Sequence, residues 1–440
     1  MIPTRKSRCA LAACAVALGF GVAAVSQPRP DAAATAATAA TAAGMQVEHA
    51  TVAPDAIVHP FADGADQADA LQRALDALQR GQRLVFAPGR YVVGRSLAVK
   101  QANVAISGYG ATLIATDPDD QTIEMRGDGT TLAGLTLAGI GATRLTTPAS
   151  TKVDVTGRGV QVLDVVIDGG ASAGIFVFGG QDVAIVGNEV RATLADGIHV
   201  THGARNVLVQ GNVVRDTGDD MIAVVSYRND GAPSGNVLIA GNSLEGNDWG
   251  RGVTVVGGAD VTIADNIVRG VRTGAGILVA QEDSYRTYDA TNVRVARNVV
   301  ADIQQRASRQ AGRAQTGQAA IDLNAGSGAV TRVDVTDNRI VDARFAGVRT
   351  LGNVCGVRVS GNRLDGIAGA PIARESRGCA AGQAIAGAAN TLNGVALPLP
   401  ARVASQAAAF AVSGADETRM PRVRQWLRQA RGRGALAVER

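Results

Sequence analysis

The feature that most restricts this chain is a short pattern that recurs about every 24 residues, a period typical of stacked-repeat architectures. Seven short segments begin with Val and close on Asn: Val183 to Asn188, Val207 to Asn212, Val237 to Asn242, Val261 to Asn266, Val293 to Asn298, Val333 to Asn338 and Val357 to Asn362. From one asparagine to the next the steps are 24, 30, 24, 32, 40 and 24. The base period is 24, with extra lengths of 6, 8 and 16 in three units. A fixed period of this size means stacked structural units, each unable to bury its apolar face alone.

Each unit reads as short strands. Val183 and Ile185 match Val207 and Val209, Val237 and Ile239, Val261 and Ile263, Val293 and Val295, Val333 and Val335, Val357 and Val359. The residues between them (Ala184, Leu208, Leu238, Thr262, Arg294, Asp334, Arg358) are mixed, the period-two mark of a half-buried strand. A second strand follows each Asn by about eight residues, as in Ile198-His199-Val200, Ile222-Ala223-Val224, Val253-Thr254-Val255 and Ile277-Leu278-Val279. No amphipathic helices intervene, which excludes a doubly wound sheet or an α/β barrel. The leucine spacing of a leucine-rich repeat is also absent. The pattern predicts an all-β, single-stranded right-handed parallel β-helix, with the repeated asparagines stacked in an amide ladder. Weaker coils precede the series at Leu132 to Leu137 and Val160 to Ile167.

Composition agrees. The 440 residues are 46% hydrophobic and only 3% aromatic, with 54 glycines, so the core is built of many thin Val, Ile and Ala layers. A formal net charge of +4 is too small, and the apolar content too high, for a disordered chain. The charge is polarised: residues 419–440 hold seven arginines against Glu439, while residues 45–418 are mildly acidic. The basic end is read as a short surface helix, Arg422 to Ala430, docking by Val423, Trp426 and Leu427, so nucleic acid is not an expected partner. A monomer is expected.

Residues 1–26 read as a secretory signal: Arg5, Lys6 and Arg8, then an apolar run to Val25 with small residues for cleavage. The run is short for a membrane span, so no stable span is expected in the mature chain. Leu11-Ala12-Ala13-Cys14 also spells a lipoprotein box, with too few apolar residues before Cys14. Export to the periplasm or the medium is the expectation. Residues 27–50 are an Ala/Thr-rich linker, residues 51–100 an N-terminal cap, residues 101–365 the β-helix, and residues 366–440 a C-terminal cap and basic tail. Cys355 and Cys379, one repeat period apart, are expected to pair in an oxidising compartment.

A stack of coils exposes strand edges and must be capped. Asp63 to Gln82 predicts a helix with Leu71, Leu75 and Leu78 on one face. It is followed by Leu84-Val85-Phe86, Pro88-Gly89 and Tyr91-Val92-Val93. This order resembles the entry segment of the pectate-lyase-like superfamily.

Aligning the second strands gives one vertical column just before each strand: Ala173, Asp196, Asp220, Arg251, Ala275 and, further on, Ala346. Asp219 stands beside Asp220, making three carboxylates on two adjacent coils. His199 and His202 lie next to them. Tyr227, Trp249, Tyr285 and Tyr288 crowd into one stretch of the chain, three of them in the inserted loops Ser226–Gly235 and Gln281–Thr291, and Glu282 lies there too. Rings beside acids suit a sugar, whose C–H faces stack on aromatics and whose glycosidic bond is cut by paired carboxylates. Asp322 and Asn324, two coils on, are weaker candidates. Asp-Gly and Gly-Asp-Asp are also common turn sequences, but that reading does not account for Asp, Asp and Arg in one column with Ala above and below.

Leu194-Ala195-Asp196-Gly197, Gly218-Asp219-Asp220 and Gly250-Arg251-Gly252 resemble three successive motifs of the polygalacturonase family of β-helix hydrolases: Asn-Thr-Asp-Gly, Gly/Gln-Asp-Asp and Gly-His-Gly. The resemblance implies Asp219 as general acid, with Asp196 and Asp220 activating water in an inverting hydrolysis of a polysaccharide. By their place around these acids, Arg251, His199, His202, Tyr227, Trp249, Glu282 and Tyr285 are the candidate substrate contacts, and no metal or other cofactor is expected. The family's histidine position holds Arg251, and its Arg-x-Lys positions hold Leu278 and Ala280. Two alternatives stay open: a calcium-assisted lyase or epimerase on a uronic-acid polymer, using Arg251 or a histidine, and a non-catalytic glycan-binding β-helix.

Overall fold

The computed structural model describes residues 55–379 and 384–399. The expected signal, linker, Cys14 box and Arg422 to Ala430 helix lie outside them. Among the described residues the architecture is a right-handed parallel β-helix whose strands form three parallel sheets running along the stack. Two of the sheets merge where the long strands Ile321–Thr336 and Val348–Ser360 run through the corner between them.

Register follows the inward valines. Val183, Val207, Val237, Val261, Val293, Val333 and Val357 pair in sequence and are all fully buried. Such columns bury apolar surface at the rung spacing of about 4.8 Å. The face expected to be mixed and half exposed is more covered than that: Ala184, Leu208, Leu238 and Thr262 are also buried, stacked on one another in a single column.

The asparagine ladder is continuous. Asn188 Nδ2 donates to Asn212 Oδ1 at 2.9 Å, and the pattern repeats through Asn242, Asn266, Asn298, Asn338 and Asn362. It ends on an eighth member, Asn390, at 3.0 Å. Each amide also donates to a main-chain carbonyl, so these buried polar groups are satisfied. The residue before each ladder Asn turns the corner with positive φ, from Gly187 at 71° to Arg297 at 56°. This is why that position reads Gly, Asp, Arg or, at Ala389, Ala rather than a β-branched residue. A second, shorter amide ladder was not foreseen: Asn206 Nδ2 donates to Asp182 Oδ1 and Asn236 Nδ2 to Asn206 Oδ1, both at 2.6 Å.

The N-terminal helix is shorter than expected, Ala68–Asp76 rather than Asp63 to Gln82. Asp63 and Asp66 spend their carboxylates on the nearby amides of Ala65 and Ala68, forming turns in place of a longer helix. Leu71, Leu75 and Leu78 are buried on the core, as their spacing required. Parallel pairing already begins at Ala56–Val58 and runs to Asn390–Leu392, wider than residues 101–365, because the cap strands join the same ladders. An antiparallel strand, Val395–Leu397, covers the last edge. Cys355 and Cys379 form a disulfide with Cα atoms 5.8 Å apart. No helix among the described residues is long and apolar enough to cross a membrane.

Candidate active site

The acids sit where the chain enters the first sheet. Ile198 pairs with Ile222 and Ile222 with Val253, so Asp196, Asp220 and Arg251 fall into one column two residues before these strands. Main-chain bonds fix that corner: Gly197 N donates to Asp220 O and Met221 N to Arg251 O, both at 3.0 Å. Carboxylates then clamp successive rungs. Asp196 Oδ1 accepts from Asp220 N at 3.0 Å, and Asp220 Oδ1 from Arg251 N at 2.7 Å. Thr254 Oγ1 lies 2.6 Å from Asp220 Oδ2.

Asp196, Asp219 and Asp220 each offer an oxygen within 4.8 Å of the others. That is tighter than the ~6.5–9.5 Å between carboxyl groups expected for inversion. Asp219 is the most open of the three, with 17% of its side chain exposed against 9% for Asp220. Its carboxyl is raised above the usual range, first by burial and then by the charge of Asp196, while Arg144 and Arg251 pull it back. Burial, with Asp219 and Asp196 adding, pushes Asp220 up to about 8 against the pull of Arg251 and Thr254. His199 Nδ1 meets Asp196 Oδ2 at 2.5 Å, so both oxygens of Asp196 are engaged.

Two cations stand on the cluster. Arg144 Nη1 reaches Asp219 Oδ2 at 2.5 Å from the segment following Thr136–Ala138. Arg251 lies 3.8 Å from Asp220 and 3.0 Å from Glu282. Burial disfavours its charge, but Asp220, Glu282 and Asp219 outweigh that and hold it firmly protonated. The oxygens of the three aspartates lie close enough to share a cation. Five of their six oxygens (both of Asp196, both of Asp220, and Asp219 Oδ2) already face protein donors, and two guanidinium groups supply the positive charge.

The inserted loops form one wall. Tyr227 bridges to Thr287, Arg228 N donates to Arg286 O and Tyr288 N to Ser226 O, each of the latter at 3.0 Å. The loops thereby meet across the intervening rung Val253–Val256. Tyr227 packs on the cluster of Ala223, Val225 and Val256, and burial beside Asp196 and Asp230 pushes its hydroxyl up to about 12. Tyr285 is 63% exposed. His202 lies 3.4 Å from Asp230 and stacks on Phe178.

Two expected residues have other partners. The ring of Trp249 carries the Arg313 guanidinium at 4.1 Å, so that face, expected to meet a sugar, is covered by a cation. Asp322 is fully buried, paired with Arg349 at 2.8 Å and with Ala319 N at 2.7 Å, and with Asn324 on the same strand stays outside the cluster. Arg144, Thr254, Asp230, Phe176 and Phe178 were not anticipated. The two phenylalanines carried a usable signal, since they alternate on a strand one coil before His199. Arg144 carried none, because an irregular segment has no register to read.

Fold and site together define a parallel β-helix with a carboxylate cluster on an outward face. The fold is a right-handed parallel β-helix, and the family model described as right handed beta helix region matches residues 173–364. No curated protein sequence matches the chain. Among solved structures it is similar to the catalytic unit of a thermostable GH87 alpha-1,3-glucanase from Streptomyces thermodiastaticus. The TM-score is 0.57 and the identity 19%, over 74% of this chain and 66% of that one, just under two thirds of its length. A GH87 alpha-1,3-glucanase catalytic domain in complex with tetrasaccharides gives 0.59 and 16%, over 76% and 69%. The A-module of the mannuronan C-5 epimerase AlgE6 of Azotobacter vinelandii gives 0.53 and 18%, over 74% and 95%.

Proposed function

We propose that this protein is an exported carbohydrate-active enzyme that hydrolyses glycosidic bonds of a polysaccharide. The observation that carries the reading is the cluster of Asp196, Asp219 and Asp220, nearest oxygens within 4.8 Å, on an outward edge of two consecutive rungs. Carboxyls this close titrate as a coupled set, in which one can keep its proton while another is ionised, and glycosidic cleavage uses one acid and one base. Asp219, the most open and with a raised pKa, is the general acid that protonates the leaving oxygen. Asp220 holds its proton at neutral pH, and Asp196, held in place by His199 and the Asp220 amide, is the base proposed to take the proton of the attacking water.

Both oxygens of Asp196 accept protein donors, which makes it a poor nucleophile. Attack by water with inversion is therefore the proposed course despite the short spacing. The motif resemblance to polygalacturonases supports hydrolysis, as do the sugar-bound glucanase relatives of the same fold. The Cys355–Cys379 disulfide supports an oxidising compartment.

The test is a screen of the purified protein against neutral and acidic polysaccharides. New reducing ends without ultraviolet-absorbing unsaturated uronate are expected, with the anomer of the first product read by NMR. Asp219→Asn should lower kcat by about 10²–10⁴. Unsaturated products, or full activity in Asp219→Asn, would overturn the assignment.

A further inference from the structure

Four nearly parallel rings stand on the outward side of two rungs, immediately before the acids. Phe176 and Phe178 alternate on the strand Ile175–Phe178, with centroids 6.0 Å apart and planes 18° apart. Register pairs Phe176 with His199 on the next rung, where the rings stack at 5.0 Å and 29°. Phe178 pairs with Thr201, and His202, which follows with φ 57°, stacks on Phe178 at 4.0 Å and 12°. The result is a two-by-two array.

Its inner member is tied to the cluster by the His199–Asp196 hydrogen bond. Its outer edge is open, with Phe178 40% exposed and the His202 side chain 43% exposed. Folding does not require it: on the following rungs the Phe176 column holds Ala223 and Thr254. A phenylalanine left in water forgoes much of the stabilisation that burial would return. Covering it with the C–H face of a sugar recovers that loss.

Charge narrows the sugar. The column below Phe176 holds Asp154 and then Glu124, Asp230 faces His202, and Asp196 holds His199. The nearby guanidinium groups are committed, Arg144 to Asp219, Arg251 to Asp220 and Glu282, and Arg126 to Glu124. A uronate carboxylate would meet carboxylates on this path, where the guanidinium groups nearest the acids are already paired.

We propose that Phe178 and His202, backed by Phe176 and His199, are a stacking subsite for an uncharged hexose ring of the glycan, adjoining the acids. This rests on the carbohydrate reading above. The test is calorimetric titration of the Asp219→Asn protein, whose turnover is expected to be slowed about 10²–10⁴-fold, with nigerotetraose, cellotetraose and mannotetraose, and with tetragalacturonate and tetramannuronate. At least one neutral tetrasaccharide should bind, about tenfold or more tighter than either uronate. Adding Phe178→Ala or His202→Ala should weaken that binding about tenfold, while Phe178→Trp retains it. Failure of all three neutral chains to bind, binding indifferent to both alanine changes, or preference for a uronate would overturn the proposal. Neutral binding that depends on Phe178, together with a wild type that cuts nothing, would uphold the subsite and sink only the hydrolase reading.

Discussion

Gly250 lies directly against Asp219: a Cβ on Gly250 would come within 2.5 Å of Asp219 Oδ1 and 2.7 Å of Asp220 N. Its φ of 82° is also one that side chains resist. Gly250→Ala should therefore cost about 1–3 kcal/mol of stability and displace the proposed acid. A melting curve alongside an activity assay checks this, with kcat expected to fall further than the stability loss accounts for.

Arg144 sets the acidity of Asp219. Its guanidinium favours the ionised carboxylate, opposing burial and Asp196. A general acid works only while protonated, so activity falls as pH rises through its pKa. Arg144→Ala removes the lowering influence, and the alkaline limb of the pH–rate profile should move to higher pH. An unmoved limb would show that Asp219 is not the group being titrated.

Asp220 makes the fold pH-sensitive. Its pKa rises from 3.8 to about 8 on folding, so between those values the folded state keeps a proton that the unfolded state releases. Its favourable contribution is complete below about 4 and is lost as pH climbs through 8. Asp220→Asn should raise Tm relative to wild type at pH 9, with the gain shrinking toward pH 4.

Lys152 has the opposite sign. Burial lowers its ammonium from 10.5 to about 7, where it donates to Ala138 O at 2.9 Å. Charging it inside the core weakens the folded state most at and below pH 7, and that penalty fades as pH rises toward 10.5. The Tm of Lys152→Met minus that of wild type should be greatest near or below pH 7 and decline steadily in alkaline buffer.

The amide ladder predicts a positional gradient. Asn242 accepts from Asn212 N and Nδ2 and donates to Asn266 Oδ1 and Val209 O. Asn242→Ala strands several buried groups at once and should cost about 3–5 kcal/mol in denaturant unfolding. Asn390→Ala, at the end of the stack with fewer partners, should cost less.

The repeat was readable because inward Val and Ile must keep one register for seven units, and a buried amide tolerates no slippage. Asn390 escaped notice because it opens a three-residue strand beside an antiparallel edge rather than closing a Val-led segment. The column of Asp196, Asp220 and Arg251 was legible for the same reason as the valines: it is fixed by strand pairing. What lies in irregular segments was not. Arg144 reaches Asp219 across 75 positions, and the cation on Trp249 comes from Arg313 in an insertion of its own. Counting only Tyr and Trp also passed over Phe176 and Phe178, whose alternation on a strand was enough to place them together.

The two inserted loops that meet through Tyr227 and Thr287 behave as one part in two pieces. Shortening either alone would leave the other without its backbone partners. A designer wishing to widen the cleft or graft a new specificity onto this scaffold must therefore exchange both together, as a matched pair, and leave the coil between them untouched.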